Sequence, residues 1–80
     1  MQEAEVRLIR NTFSSVMPYL AYPQELRELL EKLLKEETEV GAFVEKLKHE
    51  ISTKSDLTRK TDGQIFVNEF RRRFSGELSD

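Results

Sequence analysis

Apolar side chains recur along this chain at three- and four-residue steps, the spacing that gathers them on one face of successive α-helices. In the first segment, 3–17, they are Val6, Ile9, Phe13, Val16 and Met17. Pro18 should end or kink that helix, because it lacks an N–H and disfavours α geometry in the residue before it. Tyr19, Leu20, Ala21 and Tyr22 then make an apolar connector expected to pack on the helices, the alternative being that Tyr19 and Tyr22, flanked by Pro18 and Pro23, form an exposed aromatic contact. Pro23 suits the first turn of a second helix, 23–36, where its missing donor costs nothing. There Leu26, Leu29, Leu30, Leu33 and Leu34 form a buried stripe, while Glu28–Lys32 and Glu31–Lys35 pair along the opposite face.

A third helix, 39–52, takes Thr38 as its N-cap and turns Val40, Phe43, Val44, Leu47 and Ile51 inward. Gly41, near its start, offers a place for close approach by a neighbour. The short break at 36–38 predicts that the second and third helices form an antiparallel hairpin. The stretch 52–63 is polar, with Leu57 as its one apolar side chain, and reads as a loop with a helical turn starting at Ser55 or Asp56. Thr61 and Gln64 fit a capping box for a last helix, 63–74, on which Phe66, Phe70 and Phe74 align at steps of four. Residues 75–80 read as a frayed tail. The expected fold is all-α: one domain, 1–80, built as a small bundle of three to four helices around the central hairpin.

Composition narrows what such a bundle does. A chain of 80 residues buries only about 60% of its unfolded surface. With 38% apolar and 35% charged residues, a second copy or another partner would cover surface that the chain cannot cover itself. There is no cysteine, which excludes disulfides and thiolate metal sites. No apolar run approaches the ~18 residues of a membrane span, and the first 25 residues carry Glu3 and Glu5 without the apolar stretch of a secretory signal. The expectation is a soluble, intracellular protein that does not enter membranes.

Catalytic chemistry is thin. His49 is the one histidine, and periodicity puts it off the apolar face, with no cysteine or second histidine to converge on a metal. Glu36, Glu37 and Glu39 lack the alternating ligand spacing and turn glycine of a calcium loop. Glycines at 41, 63 and 76 are too scattered for a phosphate loop. Neither an enzyme nor a cofactor or metal is expected.

Charge is more informative. Residues 1–50 carry seven Lys/Arg and ten Asp/Glu, whereas 52–74 carry six basic residues and three acids. Three consecutive arginines, Arg71, Arg72 and Arg73, sweep most of a helix circumference, so some must face solvent, where they can grip an acidic partner or phosphates. The preferred expectation is a non-catalytic protein-interaction or regulatory module. Its contact surface is formed by Phe66, Phe70, Arg71, Arg72, Arg73 and Phe74, and its partner is an acidic protein or a second copy of the chain. The alternative is a small nucleic-acid-binding regulator using Lys54, Arg59, Lys60 and Arg71–Arg73, although the net charge of −2 and the lack of a nucleic-acid-binding signature count against it.

Phe66, Phe70 and Phe74 leave two arrangements open: they pack inward and close a four-helix bundle, or the last helix detaches and docks in a partner's groove. The L-x-x-L-L-x-x-L-L run from Leu26, followed by Thr38, Phe43, Leu47 and Glu50, resembles the TAF-homology domain of transcription coregulators. That resemblance implies a helical fold that binds short amphipathic peptides. It covers about a third of the chain and ends after Ile51, where the family's Pro- and Leu-containing helix is missing, so membership is not assigned.

Overall fold

The computed structural model describes residues 1–36 and 39–78, with side chains described as far as Ser75 outside the gap. Four helices form: α1 (Glu3–Val16), α2 (Pro23–Glu36), α3 (Val40–Ser52) and α4 (Leu57–Leu78). The Cα radius of gyration is 11.9 Å, against about 11.6 Å expected for a compact chain of this length.

Helix α1 starts at a reciprocal cap in which the Gln2 backbone N–H donates to Glu5 Oε1 at 2.9 Å. It stops where Pro18 forces the chain into a 3-10 turn, Met17–Tyr19. The connector is divided in its packing: Leu20 is buried, but Tyr19 is 75% exposed. Helix α2 begins at Pro23 and ends at Glu36 as its composition predicts, burying Leu26, Leu30 and Leu33. Helix α3 has Glu39 at its N-cap position with no side-chain cap bond, and the expected cap at Thr38 lies outside the described residues. Around Gly41 there is open space, so no close approach occurs there.

Helix α4 departs most from expectation. It starts at Leu57, so residues 57–63 are helix rather than loop, and it continues through 75–78, where a frayed tail was expected. Residues 79–80 lie outside the described residues. Asp56 is the cap: its Oδ1 accepts the Thr58 N–H at 2.7 Å and the Arg59 N–H at 3.4 Å. Thr61 lies inside the helix and donates its hydroxyl to the Leu57 carbonyl at 2.9 Å, so it caps nothing. The inward side of this first stretch is Asp62 and Gly63, a buried face with no hydrophobic signature.

Those two residues join the helices. The Asp62 carboxylate, 4% exposed, accepts the backbone N–H groups of Ala21 (2.9 Å) and Tyr22 (2.7 Å) just before α2. It therefore caps the start of α2 from another helix, where the dipole favours a negative charge. Gly63 meets the Ile51 side chain on α3 closely enough that a Cβ would overlap it.

Farther along α4, Phe66, Val67 and Phe70 fill the core with Ile9, Val16, Leu30, Leu33, Phe43 and Leu47. Phe66 stacks on Phe70 at 5.9 Å, Phe43 meets Phe70 edge-on at 6.5 Å, and Phe74 continues the row at 5.5 Å. Of the two arrangements open to the phenylalanines, the structure takes the inward one. Thr12, wholly buried on α1, is satisfied by donating its hydroxyl to the Leu8 carbonyl at 2.7 Å. Helix α4 packs against all three other helices, and α2 packs on α3.

Candidate functional site

The residues expected to form the contact surface separate into three places. Phe66 and Phe70 are 0% and 2% exposed and belong to the core, so they offer nothing to a partner, and Phe74 is half-buried against them. Arg71 is exposed and makes no ion pair among the described residues. Arg72 and Arg73 converge on Glu69, with two bonds and one respectively: Arg72 Nη2 donates to Oε2 at 2.7 Å and to Oε1 at 2.9 Å, and Arg73 Nε donates to Oε2 at 2.6 Å. Arg73 Nη2 further donates to Ser15 Oγ on α1 at 2.9 Å, which fixes its direction across the α1–α4 seam.

Around this cluster lies a shallow hollow of about 420 Å³, lined on the α1 side by Ser15, Val16 and Tyr19 and on the α4 side by Ile65, Asn68, Glu69 and both arginines. Two guanidinium groups against one carboxylate leave the hollow net positive. Hydrogen bonds from Arg72 and then Arg73 hold the Glu69 carboxyl below its ordinary range, and the bond to Glu69 lifts Arg72 above its own. Tyr19 stands at the edge because the Met17–Tyr19 turn, imposed by Pro18, aims it away from the core. Of the two places that Pro18 and Pro23 leave open to the tyrosines between them, Tyr19 takes the exposed aromatic one rather than the packed one.

The six basic residues of the nucleic-acid alternative do not converge. Arg59 is committed to Glu25 (2.8 Å) and Asp56 (2.9 Å), with its guanidinium 4.4 Å from the centre of the Tyr22 ring. The hydrogen bond to Glu25 is the main reason its affinity for the proton is raised. Lys54 is exposed beside Arg59, and Lys60 is half-buried one residue along. Arg59 and Arg72 stand roughly 20 Å apart along α4 at the ordinary helical rise, and three of the six charges are neutralised by carboxylates.

Among the described residues no other chemistry gathers. His49 is exposed on α3, and among the described residues no group of three His, Asp or Glu side chains is placed to hold a metal ion. Glu36 pairs with Lys46 at 3.8 Å, and Glu37 lies outside the described residues. Among the described residues no helix is long and apolar enough to cross a membrane.

A family model matches residues 9–75, a span that runs from the first core residue of α1 to just past the arginines. The chain belongs to the MJ1579 family. No curated protein and no solved structure matches it. The MJ1579 match takes in α2 and α3 whole, α1 from Ile9 and α4 as far as Ser75, together with the Asp62 cap and the Tyr19–Arg72–Arg73 hollow.

Proposed function

We propose that this member of the MJ1579 family is a non-catalytic protein-interaction module that presents the α1–α4 hollow to a partner carrying acidic and apolar side chains. The observation that carries this reading is Tyr19, 75% exposed beside Arg72 and Arg73 in one net-positive concavity. Tyrosine and arginine are the residues that most often dominate protein interfaces, because each combines a large contact area with directed hydrogen bonding. Glu69 and Ser15 hold Arg73 in place before any partner arrives, which lowers the ordering cost of binding. Arg72 is the more available charge, with its side chain 77% exposed.

The test is capture from a source-cell lysate with the wild-type chain, Tyr19→Ala and Arg72→Glu, each with and without nuclease. The expected result is a protein retained by wild type after nuclease and reduced by about tenfold or more in both variants, whose circular dichroism remains that of the wild type. Equal retention by all three chains removes this surface from consideration. Loss of the retained material on nuclease treatment favours the nucleic-acid alternative instead.

A further inference from the structure

The four helices do not close into a complete ring. Helix α1 packs on α4, α4 on α3 and α3 on α2, but α2 and α1 make little contact, although the chain runs from one to the other. Between them lies a groove of about 300 Å³. Its floor and walls are Ile9 and Phe13 on α1 and Met17 just past its end, at successive steps of four, facing Leu30 and Leu34 on α2. Ile9 and Leu30 are buried, Phe13 and Leu34 are half-buried, and Met17 is 46% exposed. This is a second surface, separate from the Tyr19–Arg72 hollow.

We propose that this groove is the interface with a second copy of the same chain, the two α1–α2 faces packing across a two-fold axis. The charges on its banks point to that occupant. Arg10 on α1 and Glu31 on α2 face each other across the opening and meet at 3.3 Å, both partly solvated. In a two-fold pairing each surface must complement itself, so that residue i of one copy meets residue j of the other and the reverse. A basic side chain on one bank and an acidic one on the opposite bank satisfy that requirement: the Arg10 of each copy can be offered the Glu31 of the other in place of its own. The banks also match in length, each helix having 14 residues, or about 21 Å. The apolar centre with charged margins has the anatomy of a protein interface. Arg27, exposed at the margin, has no ion partner among the described residues and remains in water at the rim.

Sedimentation equilibrium of the full chain, from about 1 μM to 1 mM, tests the proposal. The expected result is a reversible shift from one chain mass to two. Met17→Glu, placed at an already exposed position so that folding is preserved, should raise the dimer dissociation constant by about tenfold or more. Arg10→Glu and Glu31→Arg should each weaken the dimer, and the double exchange Arg10→Glu/Glu31→Arg should restore it. A single chain mass across the whole range overturns the proposal. So does a dimer that Met17→Glu leaves unchanged, because its interface then lies elsewhere, and so does a double exchange that fails to recover what either single change lost.

Discussion

Adding one methyl group at Gly63 should destabilise the protein when Ile51 is present and stabilise it when Ile51 is cut back to alanine. A Cβ at Gly63 would lie 2.5 Å from Ile51 Cγ1, closer still to Cδ1, and 3.2 Å from Cγ2. Ordinary carbon contacts are about 3.5–4.0 Å, so the overlap with the first two atoms exceeds an ångström. Ile51 is 4% exposed and sits in the core, so it cannot yield without displacing its neighbours. Two effects of Gly63→Ala compete. Alanine in a helix interior gains about 1 kcal/mol over glycine, while forcing extra volume into a packed core costs about 1–3 kcal/mol. The overlap puts this case near the upper end, for a net loss of about 2 kcal/mol.

In the Ile51→Ala background all three contacting atoms are gone. The helix-propensity gain then stands alone, joined by roughly 0.8 kcal/mol for burying the new methyl, and Gly63→Ala should stabilise by about 1–2 kcal/mol. Ile51→Ala itself costs about 2–5 kcal/mol, so the four chains of the cycle are best compared by urea unfolding in a constant concentration of a protecting osmolyte. A Gly63→Ala effect of the same sign and size in both backgrounds would refute the contact between α3 and α4 on which the helix crossing rests.

Further outcomes follow from the caps, from the open space at Gly41 and from the charge geometry. Asp62→Ala should cost about 2–3 kcal/mol in urea unfolding, because two backbone N–H groups before α2 lose a charged acceptor. Asp56→Ala should cost only about 1 kcal/mol as the loss of a local cap; equal costs would show that Asp62 does not join the helices. Gly41→Ala should stabilise by about 0.5 kcal/mol, since the added methyl meets nothing and the helix gains propensity, and a fall in melting temperature would contradict this. The folded-state pKa of Glu69 is lowered, so its stabilising contribution is complete above its ordinary value of 4.5 and is lost as pH falls through the folded value. The melting temperature of wild type should therefore exceed that of Glu69→Gln at pH 6 by a margin that shrinks below about pH 4.5; a margin independent of pH would exclude the linkage.

Much of the fold was legible where local and tertiary signals agree. Pro18 stops α1 and Pro23 starts α2 through the same missing N–H, and the leucine stripe marks the inward face without ambiguity. The start of α4 was hidden for a physical reason. Its buried side there is Asp62, held by backbone groups 40 and 41 residues earlier, and Gly63, useful for what it lacks. Neither adds to a hydrophobic period, so 57–63 looks like loop until the partners on other elements are known.

The site was less legible. Phe66, Phe70 and Phe74 have the same spacing whether they line a core or a docking face, and only the positions of Phe43 and Ile9 show that the first two are core. The arginines were partly readable. Glu69 precedes Arg72 and Arg73 by three and four residues, the spacing at which an acid neutralises a following base on one helix. The same rule that identified Glu28–Lys32 in α2 thus distinguishes these two arginines from Arg71.

The central claim, that the α1–α4 hollow is where a partner binds, is tested most directly by photocrosslinking in the source cell. A photoreactive phenylalanine analogue is placed at Tyr19, and in a parallel strain at Glu45, which is also exposed, on α3. Binding at the hollow should give an irradiation-dependent adduct with a discrete second protein from position 19, abolished by Arg72→Glu and absent from position 45. No adduct from position 19, or the same adducts from both positions, would contradict it.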